Sequence, residues 1–206
     1  MKEIFMVAGG PSLAGFDWKR LANKDCFAIN RSYEVLPNAK FIYFADWDFF
    51  ERHKAGLLAH SGQICTGYAK NICKKQIVHP DVLEFKLTGA DGLDTTNPGI
   101  RHGRNGGFAA INAAYHLGYR RMYLLGYDMG RIGKATHWHN GHPRIDPVSI
   151  YTTMMKHYAN LVEPAKKAGV EIINLNPESN LKLFPFMDEY EAIGDKRPAP
   201  KVQLDI

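Results

Sequence analysis

Three cysteines in 206 residues, Cys26, Cys65 and Cys73, are too few and too odd a number for a disulfide framework. Reduced thiols in a cytoplasmic protein are the expectation, and Cys65 and Cys73 match no standard zinc-ligand spacing. No stretch approaches the ~20 apolar residues that a membrane-spanning helix needs, so no membrane span is expected. Met1-Lys2-Glu3-Ile4-Phe5-Met6-Val7 passes straight into a strand-like run and shows no cleavable signal pattern. There is no internal repeat, low-complexity run or interdomain linker. Charge of neither sign dominates: 26 Lys and Arg against 21 Asp and Glu leave a scattered surplus of +5, which by itself specifies neither nucleic acid nor a phosphate-bearing ligand. Two nucleotide signatures are also missing, the three-glycine dinucleotide fingerprint and the Lys-Ser/Thr pair of a P-loop.

What is present suffices for a core, since 45% of the residues are hydrophobic. Short apolar runs at Ile4–Ala8, Cys26–Ile29, Phe41–Phe44, Gln63–Thr66, Glu84–Leu87, Met122–Leu125 and Val170–Asn174 read as strands, with Met122–Leu125 suited to burial on both faces. Helical spacing marks Phe49–His60, Phe108–Leu117 and Ser149–Lys167, with Asn105 as an N-cap and Gly118 and Gly169 as stops. The pattern predicts a single α/β domain, a Rossmann-like doubly wound, mostly parallel sheet with helices on both faces. Residues 1–187 are assigned to that domain. Residues 188–206, charged and proline-containing, are expected to form a loose C-terminal tail. Thr88–Gly103 has no periodicity and reads as a long loop of the kind that forms lids.

Polar residues follow several strands. Gly9-Gly10-Pro11-Ser12 follows the first, Asn30 the second, Asp46 the third and Asp128 the run at Met122–Leu125. A parallel sheet sets such ends along one rim, where open α/β folds bind ligands. Glycines at Gly9 and Gly10 let backbone approach a ligand closely, and Pro11 suits a first helical turn. Arg104 stands directly before the helix start at Asn105-Gly106, where a cation and orphan N–H groups together suit an anion. A further cluster, His137-Trp138-His139-Asn140-Gly141-His142, offers His137, His139 and His142 as an alternative metal triad, although no metal is expected.

Gly9-Gly10-Pro11-Ser12-Leu13, Asn30, the block from Gly118 to Gly126-Tyr127-Asp128, Gly141-His142 with Asp146, and Asn176-Pro177-Glu178-Ser179 fall in an order that resembles the bacterial sialyltransferases of glycosyltransferase family 42. The order is also similar to the related domain of flagellin motility accessory factors and of 6-hydroxymethylpterin diphosphokinases, and short relatives occur among phage proteins. The resemblance implies a nucleotide-binding domain in which Gly9, Gly10, Ser12 and Asn30 contact a cytidine nucleotide and His142 is the general base, an imidazole being suited to take a proton from an acceptor hydroxyl near neutral pH. Two departures stand out. The tyrosines that those enzymes place on the leaving phosphate are absent from Met129–Thr136, where Arg131 and Lys134 are candidates to neutralise it instead. The asparagine within their first glycine motif is also absent.

The expected activity is transfer of a sugar from a CMP- or other nucleotide-activated donor, with His142 as base. Gly9, Gly10, Ser12, Asn30, Asp46, Asn105, Gly106 and Asp128 are assigned to the nucleotide, and Arg104, Arg131 and Lys134 to its phosphate. No tightly bound cofactor is expected, the nucleotide sugar being a co-substrate. The acceptor is open among a glycan, a protein and a modified nucleic acid, and an oligomer is open as well. One alternative is magnesium-dependent ATP phosphotransfer of the pterin diphosphokinase type, with Asp46 and Asp128 on the metal. Others are a metal hydrolase built on the histidines and a degenerate nucleotide-binding module without catalysis.

Overall fold

Strands whose side chains are apolar on both sides require cover on both faces, and alternate residues show how it is supplied. The structure, a computed structural model, describes residues 1–73, 75–96, 99–140 and 148–197. Eight parallel strands form one sheet: β1 (Glu3–Val7), β2 (Cys26–Ile29), β3 (Phe41–Tyr43), β4 (Gln63–Tyr68), β5 (Val82–Gly89), β6 (Gly99–Arg101), β7 (Arg121–Leu125) and β8 (Glu171–Asn174). Helices α1 (Trp47–Ala59), α2 (Gly106–His116), α3 (Ser149–Lys167) and the short α4 (Glu189–Ile193) complete the fold. On one face Ile4, Met6, Phe27, Ile29, Met122 and Leu124 pack with α2 and with Tyr158, Leu161 and Ala165 of α3. On the other, Phe5, Val7, Ala28, Tyr123 and Leu125 pack with Phe49, Phe50 and Leu57 of α1 and with Leu13 and Leu21. This is the doubly wound α/β arrangement.

The strand order is β6-β5-β4-β3-β2-β1-β7-β8. The chain steps outward from β1 to β6, then returns to lay β7 against the other side of β1, with Val7 paired to Leu125. The order of connection therefore reverses between β1 and β7. At such a switch point the loops leaving two neighbouring strands diverge and open a crevice beyond their carboxyl ends.

Helix α2 is buried from Gly107 to Ala114. Its alanines let it lie close on the middle of the sheet. Asn105 caps it by accepting from the Phe108 N–H at 3.0 Å, and Gly118 beyond it has φ +88°.

Two expectations are corrected. The loop expected at Thr88–Gly103 contains β6, a three-residue edge strand too short to show a period. It is held by buried polar groups: Asn112, with no exposed surface, accepts from the N–H groups of Asp94 (3.0 Å) and Arg101 (3.2 Å), and Asp94 takes the Thr96 N–H at 2.8 Å and the Thr96 hydroxyl at 2.5 Å. The tail is not loose at its start. Asp188 caps α4, Ile193 is buried, and Arg20 bonds both Glu189 and Asp195 at 2.7 Å while lying 4.1 Å over the Tyr190 ring. Residues that read as a solvated charged run thus close around one arginine. Among the described residues, no helix is long and apolar enough to cross a membrane.

Candidate functional site

Gly10 approaches the end of β7 so closely that a Cβ on it would lie 2.4 Å from the Gly126 carbonyl oxygen and 2.5 Å from Asp128 Oδ2. The Gly10 N–H donates to that carbonyl at 2.9 Å. Next in line, the Ser12 N–H donates to Asp128 Oδ2 at 2.7 Å, and its hydroxyl to Asp128 Oδ1 at 2.6 Å. Asn176, beyond β8, adds an amide bond to the same Oδ1 at 2.8 Å. The turn after β1 is therefore stapled across the switch point to the loops after β7 and β8.

Beside this staple lies a cavity of about 750 Å³. Its floor is the glycine corner Ala8–Pro11 together with Gly126–Gly130. One wall is the start of α2, where Arg104, Asn105, Gly106 and Gly107 present the helix N-terminus. A second wall comes from the ends of β2 and β3 and the first turns of α1, carrying Asn30, Arg31, Asp46, Asp48, Phe49, Arg52 and His53. Ile150, Tyr151 and Met154 of α3 and Thr136, His137 and His139 close it above.

Three non-glycine residues among those described have positive φ: Asn30 (52°), Arg104 (51°) and Met129 (48°). All three line this cavity. The left-handed region is costly for side chains with a Cβ, so such residues gather where the surroundings hold them for function. Helix α2 is held with similar care. Asn105 Oδ1 accepts from the Phe108 N–H and from the Tyr158 hydroxyl at 2.9 Å, and a Cβ at Gly107 would come within 2.7 Å of the Tyr127 ring. Asp46 precedes α1 as its N-cap, yet its carboxylate makes no capping bond.

Electrostatics differ along the wall. Arg31 grips Glu34 with two bonds, at 2.8 Å and 2.7 Å, and extends Nη1 to within 3.3 Å of His139 Nδ1. The Arg31 bonds hold the Glu34 carboxyl below its ordinary range. Burial lowers the His53 imidazole, Glu34 pulls the other way, and Arg31 and Arg52 add to the lowering. His53 stacks on Phe49 with ring centroids 4.2 Å apart and meets the Tyr33 hydroxyl at 3.1 Å.

Of the residues assigned from sequence, Gly9, Gly10, Asn30, Asp46, Arg104, Asn105, Gly106 and Asp128 line the cavity. Asp128 does so with its oxygens engaged by Ser12 and Asn176. Ser12 faces a second, smaller cavity, of about 570 Å³, on the other side of the staple. Arg131 and Lys134 are exposed and are not among the lining residues. The reason is a tight turn in which Ile132 and Ala135 exchange backbone bonds of 3.1 Å and 3.0 Å, turning the segment outward. His137 and His139 return to the cavity. Among the described residues, no three His, Cys, Asp or Glu side chains are gathered to hold a metal; His142 of the alternative triad lies outside them. His142 as base and Asp146 fall within 141–147, outside the described residues. Sequence reasoning missed the wall from Arg31, Phe49, Arg52 and His53, and the α3 residues Ile150, Tyr151 and Met154. The only signal for the α1 group was its position one turn into a helix that follows a strand end.

Together these features define a cavity at the switch point of a doubly wound α/β fold. The same fold is found in solved sialyltransferases. The chain superposes on the sialyltransferase CstII from Campylobacter jejuni, in complex with the substrate analogue CMP-3FNeuAc, with a TM-score of 0.57 over 91% of this chain and 86% of that one, at 17% identity. With CstII in complex with cytidine-5'-monophosphate the TM-score is 0.54 at 20% identity, over 90% of this chain and 84% of that one. No protein-family model and no curated protein sequence matches the chain.

Proposed function

We propose that the protein transfers a sugar from a nucleotide-activated donor, in the first instance a CMP-sugar, to an acceptor hydroxyl. The reading is carried by one observation: the glycine corner after β1, the N-terminus of α2 and the left-handed residues Asn30, Arg104 and Met129 converge on a single cavity at the switch point. The likeness of fold to a sialyltransferase bound to a CMP-sugar analogue supports it. Backbone at Gly9 and Gly10 approaches the nucleotide. Asn30 and Asp46 offer an amide and a carboxylate to its ribose and base. The α2 N-terminus, with Gly106 and Arg104, faces the phosphate, where helix dipole, orphan N–H groups and a guanidinium all favour negative charge.

His142 serves as general base in this reading. It follows His139, a cavity residue, by three positions, within roughly 10 Å of extended chain. It takes the proton from the acceptor hydroxyl as the oxygen bonds the anomeric carbon. Magnesium-dependent phosphotransfer would use strand-end carboxylates, with the substrate phosphates, to hold the metal. Asp128 instead has its oxygens engaged by Ser12 and Asn176, which counts against it as a ligand and leaves Asp46 and Asp48 as the cavity carboxylates.

The test is turnover with a panel of CMP-, UDP- and GDP-sugars, scoring hydrolysis as well as transfer. CMP-sugar turnover that falls by about a thousandfold in His142→Ala, with CMP affinity retained, is expected from loss of a general base. Undiminished turnover in that variant removes the assigned base, and absence of turnover with every sugar nucleotide removes the reading.

A further inference from the structure

Two residues after the turn that sends Lys134 outward, the chain runs back across the glycine corner. Trp138 donates its N–H to the Gly9 carbonyl at 3.1 Å, so this segment lies along β1's exit. Trp138 packs toward the α1 face, 5.3 Å from Trp18, while His137 and His139 both line the cavity with ring centroids 5.2 Å apart. The His137 ring rests on Gly9: its Cδ2 lies 2.8 Å from where a Cβ of residue 9 would stand. For His139 the tautomer follows from its neighbour. A guanidinium has donors only, so Arg31 Nη1, at 3.3 Å, donates to Nδ1 and leaves the ring proton on Nε2. His139 is thereby set as a hydrogen-bond donor by Arg31 at the end of β2, and Glu34 holds Arg31 in turn.

Resting on the reading above, we propose that His137 and His139, rather than Arg131 and Lys134, hold the phosphate of the bound nucleotide and stabilise it as it leaves. In the transfer step the bond between the anomeric carbon and the phosphate oxygen breaks, and its electron pair stays on that oxygen. The acceptor oxygen bonds the carbon and its proton passes to the base. A phosphodiester with one negative charge becomes a phosphomonoester with two, so donors aimed at it gain strength as the bond breaks. The His137 ring beside Gly9 and the His139 ring next to it line the cavity from which that charge would be met.

Calorimetric titration of cytidine and of CMP into the full chain separates this role from a structural one. His137→Phe and His139→Phe keep an aromatic ring and remove the donors. Each is expected to weaken CMP binding by about tenfold, the worth of a hydrogen bond to a charged group, while cytidine affinity stays within about twofold. Lys134→Ala is expected to leave both affinities unchanged. Phenylalanine variants that bind CMP as tightly as the parent overturn the proposal. So does an equal loss of cytidine and CMP, which is the signature of a collapsed cavity. A parent protein that binds neither ligand overturns the nucleotide reading itself, and this assignment with it.

Discussion

Ser12 and Asp128, 116 positions apart in the chain, hold each other through two hydrogen bonds, one from backbone and one from side chain. Because the strands that precede them, β1 and β7, flank the switch point, this pair sets the width of the crevice between them. Asn176 makes the arrangement three-cornered.

The staple predicts strong coupling. Asp128→Ala removes acceptors from two side-chain donors and one backbone N–H, and should cost roughly 3 kcal/mol of stability. Ser12→Ala should cost about 1 kcal/mol. Urea denaturation of the two single variants and the double variant should give a coupling energy of about 1 kcal/mol or more. Strict additivity would show that the two loops are fixed independently.

Adjacent glycines should respond differently to a methyl group. In Gly10→Ala the new Cβ meets backbone and the buried Asp128 carboxylate, neither of which can give way, so a loss of about 3 kcal/mol is expected. In Gly9→Ala the obstruction is the His137 ring, which can swing aside. That variant should melt near the parent but lose nucleotide affinity. Equal melting temperatures for the two variants would contradict the geometry.

Arg104 keeps a left-handed backbone at the cavity rim. Arg104→Gly removes that strain and should raise stability, by up to ~1 kcal/mol once glycine's freedom in the unfolded chain is set against it. The same change should weaken CMP binding through loss of the guanidinium. A variant both less stable and equally tight-binding would mean that the strain serves no ligand.

Asp94 governs an acid transition. Burial alone would raise its pKa, but the Thr88 and Thr96 hydroxyls, the Thr96 N–H and the Arg101 charge outweigh burial and bring it down to about 2. A carboxyl depressed in the folded state contributes stability that is fully present above its unfolded pKa. The contribution fades as pH falls from about 4 to about 2. The total is roughly 2 kcal/mol. Asp94→Asn should therefore lower stability at pH 7 and flatten its decline below pH 4, as measured by urea midpoints across that range. An unchanged slope would show that the Thr88–Asp94–Thr96 cluster is not formed.

Much of this architecture was legible in the sequence because it rests on periodicity. Cys26–Ile29 and Ser149–Lys167 begin and end where their apolar spacing predicts, and Asn105 caps α2 as its residue type suggests. Gly9, Asn30 and Asp46 were found because parallel strands deliver their ends to one rim. What remained hidden depends on contacts between distant segments. β6 is three residues held by an aspartate cluster and Asn112, and neither leaves a periodic mark. Ser12 read as a ligand contact because nothing local reveals that Asp128 lies opposite it. Arg131 and Lys134 read as phosphate partners by charge and position, but both are exposed and neither lines the cavity. His137 and His139 entered the sequence reading only as members of an alternative metal triad, because nothing local reveals that the Trp138 backbone is pinned to the Gly9 carbonyl and sets both rings at the cavity.

The account stands on a nucleotide occupying the cavity between β1, β7 and α2. Its most direct test is the melting temperature of the full chain against CMP, UDP, GDP and ATP, each with and without magnesium. A ligand bound only by the folded state, at a hundredfold excess over its Kd, adds about 2.7 kcal/mol, which corresponds to a rise of roughly 5 °C or more in a domain of this size. The prediction is such a rise with CMP, independent of magnesium. No shift with any nucleotide, or a shift only with ATP and magnesium, would contradict it.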